Sequence, residues 1–275
     1  MIMNEEMIAH QGAQLLRRNW VVEDAIANVL FVHGLGEHTG RYTEMAGVFN
    51  NVGISLYGYD RRGEGRSDGR RTYIHSIDDQ IEDLHKMKSL MPTDKPLVLM
   101  AHSLGGLIAI YYMIQKEPTD IAGLILSGAL LETDPDMAPF LKKIALPLGL
   151  LLPKLPTVKV NSSLISRDEN EVEKYKNDPL VFQGATSART GMVILKAIDH
   201  VQQYFNRIKV PMLITHGGAD KLTNPDGSKM LYDQCSSDDK TIQIFEGWYH
   251  EIMREPEKEK FFDLTTEWIR TRFKN

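Results

Sequence analysis

Leu97-Val98-Leu99-Met100-Ala101-His102-Ser103-Leu104-Gly105-Gly106 decides how the rest of the chain is read. Leu97 to Met100 form a short apolar run of the kind that is buried in a parallel sheet. Residues 104–115 are apolar on nearly every helical face, which predicts a helix packed against that sheet. A serine at the sharp turn between such a strand and such a helix has the context of a nucleophile elbow, with its Oγ held out at the carboxyl edge of the sheet. Small residues two places before and after the serine let strand and helix approach. Gly105 fills one place, and Ala101 stands in the other, where the pattern usually has glycine. An ordinary strand–helix loop is the competing reading; the flanking strand and apolar helix favour catalysis. Leu104 opens the helix, so its N–H lacks an intrahelical partner, sits at the positive end of the helix dipole and is a candidate oxyanion donor.

Outward from this segment, apolar runs at 29–32, 54–59 and 121–126 alternate with helical patterns at 42–51 and 77–91. The alternation predicts an α/β fold with a mostly parallel central sheet flanked by helices. Residues 128–206 break it, with helical stretches, several prolines and no convincing strand. Alternation resumes at 210–215, 226–234, 241–245 and 256–273. The expected division is a core of 1–127 and 207–275 with a helical cap, 128–206, inserted into it.

A nucleophilic serine needs a histidine base oriented by a buried carboxylate, and in this arrangement the chain order is serine, acid, histidine. Asp220 follows the 210–215 strand and His250 follows the 241–245 strand. Among the nine histidines, His10, His75 and His85 precede the serine, His200 lies in the insertion, His216 precedes the acid, and His102 is expected to point away from an outward-facing Ser103. Asp226 and Glu246 are the nearest rival acids; Asp226 reads better as a helix cap. After the first strand, His33-Gly34-Leu35-Gly36-Glu37-His38 carries two glycines that let the backbone turn toward a substrate carbonyl, making the Leu35 N–H the second oxyanion candidate.

Other chemistries fit poorly. Lys plus Arg number 32 against 37 Asp plus Glu, a net charge of −5, which gives no electrostatic case for nucleic acid. Cys235, the one cysteine, excludes an internal disulfide and reads as a packing residue. His33 and His38 have no carboxylate or cysteine at ligand spacing, so no metal is expected, and no cofactor is needed. Arg61-Arg62-Gly63-Glu64-Gly65-Arg66-Ser67-Asp68-Gly69 lacks the features of a dinucleotide or phosphate loop and reads as a structured turn. Trp248 and Tyr249 read as packing beside the base. The N-terminus does not resemble a secretory signal, and the longest uncharged apolar stretch, 144–153, is too short to span a bilayer. A cytoplasmic enzyme is the expectation; oligomeric state is left open.

Taken together, His33-Gly34-Leu35-Gly36-Glu37-His38 with Arg41-Tyr42, Asp60-Arg61-Arg62-Gly63, His102-Ser103-Leu104-Gly105-Gly106, Ser166-Arg167-Asp168, Tyr175, Asp178-Pro179-Leu180, Gly217-Gly218-Ala219-Asp220 and His250-Glu251 resemble the monoacylglycerol lipase and lysophospholipase group of α/β-hydrolases, which includes serine aminopeptidase-like members. The resemblance covers nearly the whole chain. It implies the α/β-hydrolase fold, triad roles for Ser103, Asp220 and His250, oxyanion N–H groups at Leu35 and Leu104, and a helical cap. Two positions depart from the group: Ala101 for glycine, and Glu64 for a histidine between two glycines.

The implied substrate is a small ester or lipid monoester, with a monoacylglycerol favoured over general carboxylesters and lysophospholipids. An aminopeptidase or amidase with the same triad would need an acidic group to bind a free amine, for which Glu132, Asp134 and Asp136 are available. The apolar stretch 139–152 reads first as cap-to-core packing. Its second reading is the mouth of an acyl-binding tunnel that touches a membrane surface transiently, with Lys142 and Lys143 at the headgroups.

Overall fold

The computed structural model describes residues 2–133 and 138–274, with the backbone alone at 138–142; Asp134, Asp136 and the side chain of Lys142 lie outside the described residues. In chain order the sheet strands are β1 (Ile2–His10), β2 (Ala13–Val21), β3 (Ala27–Val32), β4 (Ile54–Tyr59), β5 (Leu97–His102) and β6 (Gly123–Ser127). Beyond the insertion, which holds β7 (Pro156–Lys159) and β8 (Ala185–Ser187), come β9 (Met212–Gly217) and β10 (Lys240–Phe245). They form one eight-stranded sheet, β1-β2-β4-β3-β5-β6-β9-β10, and a small second sheet, β7-β8. From β4 to β10 all neighbours run parallel. This is the α/β-hydrolase fold expected.

Period-two alternation sends neighbouring residues of each central strand to opposite faces. Leu97, Leu99 and Ala101 join the core beneath α2 (Ile77–Ser89), α3 (Leu104–Lys116) and α6 (Ala188–Gln202). Val98 and Met100 join the core beneath α1 (Thr43–Asn51) and α8 (Glu259–Phe273). Both faces being covered, the strands carry unbroken apolar runs.

Two regions differ from the expectation. The hairpin β1-β2 was not anticipated, because charged residues interrupt its alternation. Its register pairs Glu5 with Arg18 and Glu6 with Arg17, so the charges neutralise each other across the ladder, at 2.8 and 2.9 Å. The insertion also contains strands where none was expected. The β7-β8 ladder is short and irregular between Pro156 and Lys159, too brief to leave a periodic signal. Its helices are α4 (Ala138–Leu151), α5 (Glu169–Asn177) and α6, and the buried face of α6 is continuous with the core that contains α3.

Parallel strands end at a common edge, and the segments after β3, β5, β9 and β10 gather there. The approach of α3 to that edge is close: a Cβ on Gly105 would lie 2.2 Å from the Val32 carbonyl oxygen and 2.7 Å from that of His33. Ala101, by contrast, is accommodated fully buried. Gly105→Ala should therefore lower stability by about 2–4 kcal/mol through overpacking against backbone. Ala101→Gly should cost only about 1 kcal/mol. Urea unfolding midpoints of the two variants check this ordering.

Candidate active site

Ser103 has φ 54° and ψ −122°, a left-handed backbone conformation that few non-glycine residues adopt. Its amide donates to the Ser127 carbonyl at 3.0 Å, which ties the turn to β6, and its side chain makes no cap bond to α3. The hydroxyl is thereby free to face the cavity that Ser103 lines. Leu104 is the first residue of α3. Among the described residues neither its N–H nor that of Leu35 has an acceptor, and both residues line the same cavity. The loop lies flush against the serine turn: a Cβ on Gly34 would sit 3.1 Å from the Ser103 Cβ.

Asp220 follows β9 and His250 follows β10. The His250 Nδ1–H donates to Asp220 Oδ2 at 2.7 Å. The same oxygen accepts from the Thr223 hydroxyl at 2.7 Å and from His216 Nε2 at 3.1 Å, while Oδ1 accepts from the amides of Leu222 and Thr223 at 2.8 and 3.0 Å. Burial alone would raise the Asp220 pKa, but His250 and these donors hold it far below the carboxylate range. Burial disfavours a charged His250, yet the Asp220 carboxylate outweighs that and raises its pKa above the ordinary histidine value. Nδ1 is committed to Asp220, so Nε2 of the neutral ring is the lone-pair nitrogen.

The rival groups fall elsewhere. Asp226 sits in the first turn of α7 (Pro225–Gln234), which Asn224 caps, and pairs with Lys229; Glu246 is exposed. His200 stacks on Tyr111. His216 is the histidine that order alone discounts and the structure nevertheless brings to Asp220, with Ser228 on its other nitrogen at 2.8 Å. His102 does not turn away as expected. Its ring centroid lies 4.7 Å from that of His250, and Nδ1 is 3.0 Å from the Ser127 carbonyl. Burial and the neighbouring His250 lower its pKa to about 4. Trp248 stacks on Phe245, as packing predicts.

Single-sequence reasoning missed a buried ion network beneath the loop. Arg41 holds Glu251, the neighbour of His250, in a two-pronged pair at 2.8 and 2.7 Å and reaches Glu37 Oε2 at 2.8 Å. Glu37 Oε1 accepts the Gly34 N–H at 2.6 Å, and Tyr42 donates to Glu37. The insertion closes the network from above: Arg41 lies 4.6 Å from the Tyr175 ring, His38 Nε2 is 2.8 Å from Asp178 Oδ2, and the Phe182 N–H donates to the Gly36 carbonyl at 2.8 Å. The i,i+4 spacing of Glu37 and Arg41 was the available signal; their link to residue 251 is invisible in sequence.

The cavity has a volume of about 420 Å³. Ile144, Ala145 and Leu148 of α4, with Val158, Ile194 and Leu195, line it with apolar side chains, as do Ser103 and His250 with polar ones. Among the described residues no cluster of side chains could hold a metal. A protein family described as "Serine aminopeptidase, S33" matches residues 23–257. The chain belongs to this family. A monoacylglycerol lipase of Mycolicibacterium smegmatis is 30% identical over 94% of this chain and 93% of its own length. The human monoglyceride lipase is 32% identical over 90% and 84%. The crystal structure of the Paleococcus ferrophilus monoacylglycerol lipase superposes with a TM-score of 0.85 at 33% identity, covering 94% of this chain and 99% of that one. The protein is a carboxylic ester hydrolase of the α/β-hydrolase fold.

Glu251 is fully buried; burial raises its pKa, but Arg41 and Arg254 bring it down to about 2. A depressed carboxylate stabilises the fold above its unfolded value, near 4.5, and that contribution disappears as pH falls toward 2. Arg41→Met should therefore cost about 3–5 kcal/mol at pH 7, by removing the cation that two buried carboxylates share. The deficit relative to the parent should shrink below pH 4.5, measured by denaturant midpoints across pH 7 to 3.

Proposed function

We propose that the enzyme is a monoacylglycerol lipase that works through an acyl-enzyme on Ser103. The observation that carries this reading is the meeting, in one apolar cavity, of a serine on a left-handed turn and two N–H groups, all without hydrogen-bond partners at those atoms among the described residues, with a histidine oriented by a five-fold bonded aspartate. Ser103 Oγ attacks the ester carbonyl while His250 Nε2 takes its proton, and Asp220 stabilises the imidazolium. The Leu35 and Leu104 N–H groups hold the oxyanion. His250 then protonates the leaving glycerol, and water releases the fatty acid by the same steps in reverse.

Three observations support a lipid monoester. The named relatives are monoacylglycerol lipases. The cavity wall is apolar. Among the described residues, the carboxylates Glu37 and Glu251 are engaged by Arg41, and Glu132 by Gln202 at 2.9 Å, so none of these three offers itself to a free amine. Residues 128–206 act as the cap in this reading. One side of α4 lines the cavity, while Leu146, Leu150, Leu151 and Leu152 are 42–79% exposed, so packing onto the core does not account for them. Their proximity to the cavity supports transient contact with a membrane surface. No helix among the described residues is long and apolar enough to cross one.

Ser103→Ala should abolish fluorophosphonate labelling and lower kcat/KM on monoacylglycerols at least ~10⁴-fold; aminoacyl-anilide turnover above ester turnover would overturn the assignment. Because the base acts only when neutral and Asp220 raises its pKa, kcat/KM should rise with pH to a half-maximum above the ordinary histidine value of about 6.5. Asp220→Asn should move that limb to lower pH and cut the plateau by roughly 10³–10⁴.

A further inference from the structure

The turn after β4, residues 60–69, plays no part in the mechanism above, yet it places a buried arginine directly behind the oxyanion loop. Arg61 is 1% exposed. Its Nη2 donates to the Gly34 carbonyl at 2.6 Å, its Nε to the His33 carbonyl at 3.1 Å and its Nη1 to Gln80 Oε1 of α2 at 2.8 Å. The Arg61 amide donates to His33 Nε2 at 2.9 Å, which leaves the His33 proton on Nδ1, where it donates to the same Gly34 carbonyl at 2.8 Å. Burial, and Arg61 beside it, hold the His33 pKa well below the usual value, consistent with that neutral tautomer. The Gly34 oxygen therefore accepts two hydrogen bonds, both from side chains that are not among those lining the cavity.

We propose that Arg61, with Glu64 as its counter-ion, is a positioning residue that aims the Leu35 N–H at the oxyanion. In a planar trans peptide the carbonyl and the following N–H point in opposite directions. Two donors that fix the Gly34 C=O on one side thereby fix the Leu35 N–H on the other, toward the cavity. Gly34 has no side chain to oppose rotation of this peptide, so restraint must come from outside it. Glu64 fixes the next peptide: its Oε1 accepts the Gly36 N–H at 3.0 Å and lies 3.5 Å from Arg61 Nη2.

The arrangement costs stability. Glu64 Oε2 is buried without a hydrogen-bond partner among the described residues, and burial lifts the Glu64 pKa to about 7 despite Arg61. An arginine and a carboxylate buried at imperfect distance are poor stabilisers, which fits a role in geometry rather than in folding.

This inference rests on the ester-hydrolase reading and is tested separately from it. Lysine cannot span three acceptors with one nitrogen. Arg61→Lys should lower kcat on a monoacylglycerol roughly 10–100-fold, with KM within about 3-fold, as expected for a misaimed oxyanion donor. A trifluoromethyl ketone, which forms a tetrahedral oxyanion on the serine, should lose affinity by the same factor as kcat/KM. A non-hydrolysable ether analogue should bind unchanged. If Arg61→Lys does not fold, Gln80→Met loosens the guanidinium without touching the loop, and should show the same selective loss at about 3–10-fold. Equal weakening of ether and ketone, or an unchanged kcat in a folded variant, would show Arg61 to be merely structural. Failure of the parent enzyme itself to hydrolyse esters or react with fluorophosphonate would instead remove the function on which the inference stands.

Discussion

A serine held at positive φ between a fully buried strand and a helix whose first two turns are buried is the constraint around which the fold is arranged. The conformation is intrinsically unfavourable, by about 1–3 kcal/mol, and survives only where the surroundings leave no alternative. Here β5 is paired on both sides, α3 is embedded in the core, and Gly105 lets the helix come within reach of the β3 backbone. The strain points the hydroxyl into the cavity and turns the first N–H of α3 to the same space. The proposed nucleophile and one proposed oxyanion donor thus share one backbone turn.

Around that turn, charge is organised in two buried layers. Asp220, with His250, His216 and Thr223, forms a compact acceptor site with every lone pair directed. Behind the opposite wall, Glu37, Arg41 and Glu251 connect the oxyanion loop to the residue following the base. Each carboxylate here is worth keeping ionised only because its partners are fixed, and removing any one charge exposes another to the low-dielectric interior. The two loops that meet over the serine are consequently held at a common spacing rather than independently.

Much of this was legible in the sequence because it depends on local pattern. Apolar runs such as 97–100 read directly as strands, and the order of Ser103, Asp220 and His250 relative to strand ends sufficed to nominate them. Features that depend on pairing between distant residues were not legible. The hairpin β1-β2 hides its alternation behind Glu5, Glu6, Arg17 and Arg18, which make sense only once they face each other. His216 was set aside by chain order, although proximity brings it to the same carboxylate. Residues 61–69 read as a bland turn, since nothing along the chain announces that Arg61 reaches the carbonyls of residues 33 and 34.

The hydrogen bond from the Phe182 amide to the Gly36 carbonyl, together with the His38–Asp178 contact, joins the insertion to the loop that supplies the Leu35 N–H. Residues 178–182 cannot part from this loop without breaking both contacts, so the position of the loop and that of the insertion are set together rather than separately.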